Sequence, residues 1–296
     1  MDNALAFKNR FIILIVGRSG SGKTSLVDAV CKGNAHYTSV VSYTTRPPRF
    51  PDEPGHIFVD DEHFPPKSEW VGYTEFNGYR YCGTKQQVED ADFWVVDPAG
   101  IDYFMSRYDG TKIPIVVGVH SKRSDLKMRM WSRGDKLQAV EDRLTHDDEA
   151  FANAKANIWL YNGSSLDFDM AVYQLQKLLT NEEWARQIAH RPLHPYPKTA
   201  FISGKVTGDD DYIQKFRLYE KECIRKGIVA LHPALLPESG FTYEQYMKMC
   251  RAMIDSCEAM IMCPDWQESS GAKVEHEYAK GLLMPIYYYS DHYIFQ

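Results

Sequence analysis

The sequence predicts an α/β protein in two parts: a phosphate-loop domain with a lid, then a smaller domain with a doubly wound parallel sheet. Three observations predict it. Gly17 to Thr24 reads G-R-S-G-S-G-K-T, which fits the phosphate-loop pattern at every fixed position, between an apolar run and a helical stretch. Arg191 to Pro197 places three prolines in seven residues, an extended, semi-rigid joint. From Thr199 onward, short apolar runs alternate with helical stretches, the pattern of a parallel sheet wrapped by helices. The expected division is a first domain over residues 1–190, a linker over 191–197 and a second domain over 198–296.

Bulk properties bound the function. The 296 residues suffice for two domains of ordinary size, and 44% apolar with 25% charged residues fits a soluble globular chain. A net charge of -6 argues against direct nucleic-acid binding, which asks for a basic surface. No run of 18 apolar residues exists, so no membrane span is expected, and the N-terminus lacks the basic-then-apolar form of a secretion signal. The cysteines at 31, 82, 223, 250, 257 and 263 form no C-x-x-C pair, which suggests reduced thiols. A cytoplasmic protein is the expectation, in the host cytoplasm if the chain is viral.

Phe11 to Val16 reads as a buried parallel strand and Ser25 to Val30 as the first turns of a helix. Strand, glycine turn and helix together aim backbone N–H groups at a polyphosphate. Gly17, Gly20 and Gly22 let the backbone approach the anion, with Ser19 and Ser21 between them. Lys23 is placed to reach the β- and γ-phosphates, and Thr24 to offer its hydroxyl to Mg²⁺, so ATP with Mg²⁺ is the expected ligand. Ser42-Tyr43-Thr44-Thr45-Arg46-Pro47-Pro48-Arg49 follows. Two arginines three apart, stiffened by prolines, suit a bidentate grip on a monophosphate. On its own the segment reads equally well as a surface loop with two solvated arginines.

With these residues in place, Phe11 to Leu179 resembles guanylate kinase. That family carries S-x-T-T-R-x-P-R, matched at Ser42, Thr44, Thr45, Arg46, Pro48 and Arg49. Gly83-Thr84 resembles the end of its Y-Y-G-[ST] motif, with Tyr81 the nearest candidate for the phosphate-binding tyrosine. Asp97, after the apolar run Phe93 to Val96, resembles the aspartate on the guanine side. Arg129, Arg133 and Arg143 resemble the lid arginines, and Asn162 follows Ile158 to Tyr161 where the family places its adenine-side loop. The resemblance implies phosphoryl transfer by positioning and cancellation of charge, with a closing lid that excludes water. Two departures bear on base choice. His56, in Gly55-His56-Ile57-Phe58, stands near the family's D-Y-x-F tyrosine, and Gly72 stands where the family has a glutamate that accepts hydrogen bonds from guanine. Glu75 lies close enough to substitute. Losing that glutamate relaxes or retargets base choice, so the expected acceptor is a monophosphate with a guanine-like or modified purine.

In the second half, Asn181 to His190 reads as the end of a helix, and Thr199 to Ile202 as a strand leading into Ser203 to Gly208. A helix from Asp209 to Lys226, capped by Gly227, precedes a strand at Ile228 to Leu231. Asp209-Asp210-Asp211 reads as a helix cap, in preference to a metal site. Thr242 caps a helix reaching Ser256, Ala259 to Met262 is a strand, Ser270 to Leu283 a helix and Pro285 to Tyr288 a last strand. Ligands of such sheets sit beyond the carboxyl ends of the strands. There Ser269-Ser270-Gly271 opens a helix, an anion site, with Glu275 one turn further in.

This arrangement resembles the nucleoside 2-deoxyribosyltransferase superfamily, which includes deoxynucleoside monophosphate N-glycosidases. Glu275 and Ala279 match its E-x-x-x-A motif, Phe201 to Gly204 its opening strand and turn, and Asp255 sits where it carries an aspartate. Small phage and bacterial domains share I-S-G-x-x-T-G, P-x-W and G-A-x-x-E, here Ile202 to Gly208, Pro264 to Trp266 and Gly271 to Glu275. The resemblance implies a flavodoxin-like fold in which Glu275 attacks the anomeric carbon of a deoxynucleotide. Ser203, Gly204, Ser269, Ser270 and Gly271 would hold that nucleotide, and Asp255 or Glu258 would assist departure of the base. By resemblance, sites completed across subunits imply a homo-oligomer. The whole reads as a bifunctional nucleotide enzyme, one that would serve modified DNA precursors in a phage. The alternatives are a kinase with a non-catalytic nucleotide-sensing second domain, and a scaffold whose kinase domain is degenerate. The intact Lys23, Arg46, Arg49 and lid arginines count against the scaffold.

Overall fold

The computed structural model describes residues 10–289 apart from Arg49, Pro54 and Asn77. Arg49, expected to grip the monophosphate, therefore lies outside the described residues. The chain divides into two compact units between Pro195 and Tyr196. Among the described residues no helix is long and apolar enough to cross a membrane.

In chain order the first unit contains β1 (Phe11–Gly17), α1 (Lys23–Gly33), β2 (Ser42–Thr44), β3 (His56–Phe58), β4 (Trp70–Phe76) and β5 (Tyr79–Thr84). Next come α2 (Lys85–Asp90), β6 (Phe93–Val95), α3 (Pro98–Arg107), β7 (Ile113–His120), α4 (Arg123–Ser132) and α5 (Leu137–Ala150). β8 (Ile158–Tyr161), α6 (Ser165–Thr180) and α7 (Glu182–Ala189) complete it. The main sheet is parallel, in the order β6-β1-β7-β8. All seven residues of β1 are buried, as expected of a strand covered on both faces. Leu26 and Val30 of α1 and Leu175 and Leu178 of α6 pack in one core with Ile13 and Ile15. A second, mixed sheet runs β3-β2-β5-β4. Leu126 and Met130 of α4 pack on Val140 and Leu144 of α5, which joins the two lid helices.

Asn181 to His190 is a separate helix rather than the end of one. The extended backbone at Asn181 ends α6, and its side chain accepts the Trp184 N–H to start α7.

The second unit contains β9 (Thr199–Ser203), α8 (Tyr212–Arg225), β10 (Val229–Leu231), α9 (Tyr243–Asp255), β11 (Ala259–Met262), α10 (Ser270–Gly281) and β12 (Ile286–Tyr288). Its sheet, β10-β9-β11-β12, is entirely parallel. One face packs on α8 through Phe216 and Cys223, and the other on α9 and α10 through Cys250, Ile254, Ala272 and Ala279. The sheet is therefore doubly wound. Thr242 starts α9 with a complete capping box. α8 starts at Tyr212, later than the aspartate run suggests. Asp209 accepts the Asp211 N–H and pairs with Lys215, and Asp211, at the cap position, makes no side-chain cap.

Candidate functional sites

The phosphate loop turns through Gly20 at φ +77 and Gly22 at φ +90, left-handed conformations that favour glycine. It opens on a cavity of about 470 Å³ lined by Ser19, Gly20, Gly22, Lys23, Thr24, Arg129, Arg133 and Arg143. The lid arginines thus share one cavity with the loop. The Lys23 ammonium folds back onto the carbonyl oxygens of Gly17 and Arg18. Burial lowers its pKa to about 8, opposed by the Asp147 carboxylate. Arg129 donates to the carbonyls of Asn162 and Gly163 at 2.9 and 3.1 Å and to the Ser121 hydroxyl at 3.1 Å, so its guanidinium is held in place. Arg143 pairs with Asp135. Arg133 donates to the Arg129 carbonyl at 3.2 Å.

One expected ligand contact is a brace instead. Asn162 is buried, and its amide donates to the Ser21 carbonyl at 2.7 Å, which supports the loop from behind rather than facing adenine. The Ser21 hydroxyl is also buried, with no hydrogen-bond partner among the described residues. Asp147 of α5 is missing from the sequence reading. It is buried, and its carboxylate accepts the Ser19 N–H at 2.6 Å. An internal anion thus already sits on the phosphate loop. Nothing in Asp147-Asp148-Glu149 distinguishes that residue from a solvated charge run.

A second cavity in this unit, of about 180 Å³, brings together Ser42, His56, Gly72, Thr74, Tyr81, Trp94 and Asp97. Other expected monophosphate contacts lie elsewhere. The exposed Glu75 accepts the Tyr73 hydroxyl and is not among the residues that line the cavity. The Thr84 hydroxyl forms the capping box of α2 with Gln87. Arg46 is forked onto Glu53 at 2.8 and 3.1 Å and lies over the Phe58 ring, so it does not line this cavity. One oxygen of Asp97, within the cavity lining, caps α3 by accepting the Gly100 N–H at 2.5 Å.

In the second unit a cavity of about 430 Å³ opens at the carboxyl ends of the strands. Gly204, Ser269, Ser270, Gly271 and Glu275 line it, as do Tyr212, Glu238, Tyr243, Tyr246 and Cys250, which the sequence did not single out. The Glu275 carboxyl is only 3% exposed and accepts the Ser203 hydroxyl at 2.5 Å. Burial pushes its pKa up to about 7, against the opposing pull of hydrogen bonds from Ser203 and Cys250. The Ser269 hydroxyl caps α10 through the Ala272 N–H. Asp255 is not part of this site. α9 runs back against the strands, so its last residue lies at the amino edge of the sheet, where Asp255 accepts the Tyr278 hydroxyl. Glu258, just before β11, accepts the Lys198 N–H there.

Comparison with known proteins separates the two parts. A family model described as a domain of unknown function, DUF4406, matches residues 198–288. A guanylate kinase of Alkalilimnicola ehrlichii is 28% identical over 182 residues, 57% of this chain and 87% of that one. A solved guanylate kinase from Anaplasma phagocytophilum aligns with 61% of this chain and 94% of its own at 16% identity and a TM-score of 0.36. A guanylate kinase of Methylococcus capsulatus is 30% identical over 182 residues, 58% of this chain and 88% of that protein. On that identity and coverage, the chain belongs to the guanylate kinase family.

Proposed function

We propose that the chain is a bifunctional nucleotide enzyme. The first activity is transfer of a phosphoryl group from ATP to a (deoxy)nucleoside monophosphate whose base is guanine-like or a modified purine; family membership supports the kinase reaction. The phosphate loop takes the donor. Lys23, Arg129, Arg133 and Arg143 line one cavity, where they would offset the charge that spreads during transfer, and no protein nucleophile is needed. Thr24 lines the same cavity and would hold Mg²⁺, which when bound neutralises charge between the β- and γ-phosphates. The acceptor would sit against Ser42, His56, Tyr81 and Asp97.

The second activity is cleavage or exchange of the N-glycosidic bond of a deoxynucleotide. The observation that carries it is Glu275, buried at the wall of an open cavity and held by Ser203. Its ionised oxygen would attack the anomeric carbon as the carbon–nitrogen bond breaks. The base leaves with the electron pair and takes a proton from solvent. Water or a second base then displaces the carboxylate. Exchange at the monophosphate level followed by phosphorylation would deliver an unusual deoxynucleotide diphosphate, a precursor for modified DNA.

The experiment incubates the full chain with deoxynucleoside monophosphates and excess free purines and reads products by mass spectrometry. New monophosphates or free base, lost in Glu275→Ala, are expected. No release or exchange alongside intact phosphoryl transfer would leave a kinase with a non-catalytic second unit.

A further inference from the structure

Gly72 of β4 and Gly83 of β5 are paired across the small sheet, and one indole ring lies over both. A Cβ built at Gly72 would fall 2.1 Å from the Trp94 ring, and one at Gly83 would fall 2.3 Å from it. Real Cβ atoms do not approach so closely, so the two glycines and the tryptophan form one packing unit. Trp94 is buried, stands edge-on to Phe104 and donates its indole N–H to the Ser42 hydroxyl at 3.2 Å. Its place is therefore fixed from three sides.

We infer that Trp94 sets the base specificity of the kinase: its indole takes the space from which a β4 side chain would reach the base, leaving a pocket read by the Ser42 hydroxyl and a single carboxylate oxygen. The polarity follows from the partners. The Ser42 oxygen accepts the indole proton, so its own proton is free to turn toward a ligand. The one carboxylate in the lining, Asp97, has one oxygen on the Gly100 N–H, which leaves its other oxygen to accept from a base. Such a pocket matches a base that presents a carbonyl oxygen or a bare ring nitrogen. Guanine presents two adjacent donors, its N1–H and its amino group, to that one carboxylate oxygen, so one of them would go unmatched, a penalty that grows in a buried site.

This inference rests on the kinase reading and on the cavity beside Ser42 as the acceptor-base site. The experiment measures kcat/KM of the full chain with ATP across dGMP, dIMP, dAMP, dTMP and dCMP. Calorimetric binding of each monophosphate without ATP reads base choice apart from turnover. In the wild-type chain, dGMP should trail the best acceptor by about tenfold or more, the scale of one unmatched polar group. Trp94→Phe should keep the ranking, and Trp94→Leu should flatten it through KM. Gly72→Glu with Trp94→Leu should raise dGMP by about tenfold over the wild type, since the ring no longer blocks the carboxylate. dGMP as the best wild-type acceptor would overturn the inference even if the variants fail to fold. A folded double variant with unchanged ranking would also overturn it. No transfer to any monophosphate, with binding retained, would instead overturn the kinase reading.

Discussion

Replacing Glu275 by glutamine should stabilise the second unit at pH 8 and do almost nothing at pH 4.5. The side chain is 3% exposed, and burial carries its pKa from 4.5 to about 7. Below pH 4.5 both folded and unfolded chains hold the proton, so folding is indifferent to it. Between pH 4.5 and 7 the unfolded chain releases it first, and stability falls as pH rises. Above pH 7 the penalty is constant, about 3 kcal/mol at roughly 1.4 kcal/mol per pH unit. Glutamine keeps the volume and an acceptor for the Ser203 hydroxyl while removing the buried charge. For a unit of this size the gain corresponds to a rise in melting temperature on the order of 10 °C. The assay is scanning calorimetry of the full chain at pH 4.5 and pH 8. ATP identifies the first unit by raising its transition alone. An equal shift at both pH values, or none at pH 8, would show that the Glu275 carboxylate is not a desolvated group held against its own stability.

Three further outcomes follow for the first unit. Asp147→Asn should tighten ATP binding by about fivefold, because a charge-assisted hydrogen bond of roughly 1.5–3 kcal/mol that the phosphates must displace becomes a neutral one; weaker binding by titration calorimetry would count against the internal anion. ATP affinity should decline as pH rises past about 8, where the depressed pKa of Lys23 removes its charge in the free enzyme. Lys23→Met should abolish that slope in dissociation constants measured from acid to alkaline pH. Gly22→Ala should abolish ATP-dependent thermal stabilisation, since its φ is +90 and the added Cβ would stand 2.4 Å from the Asn162 amide. Strain and loss of the brace cost on the order of 2 kcal/mol or more, and retained stabilisation would refute that geometry.

What the sequence displayed and what it concealed divide along one physical line. The phosphate loop was legible because eight consecutive residues and the φ needs of two glycines define it, and Thr242 because a cap acts within one turn. Strand–helix alternation from Thr199 onward pointed to the second parallel sheet for the same reason. Carboxylates were hard to assign, because their roles depend on whichever N–H group or cation the fold brings to them. Asp147 meets Ser19 across 128 positions, Asp97 is drawn onto the start of α3, and Asp255 is carried to the wrong edge of the sheet by the direction of α9. Arg46 shows the converse, a cation claimed by a glutamate only seven residues away. Trp94 eluded the pattern because its meaning lies in two glycines on other strands. Glu275 stands apart from the other acids named as site candidates. It is buried, bonded to a hydroxyl and paired with no cation among the described residues. Burial without a countercharge lowers stability, so such a carboxyl at a cavity wall is expected where chemistry, rather than packing, fixes the residue.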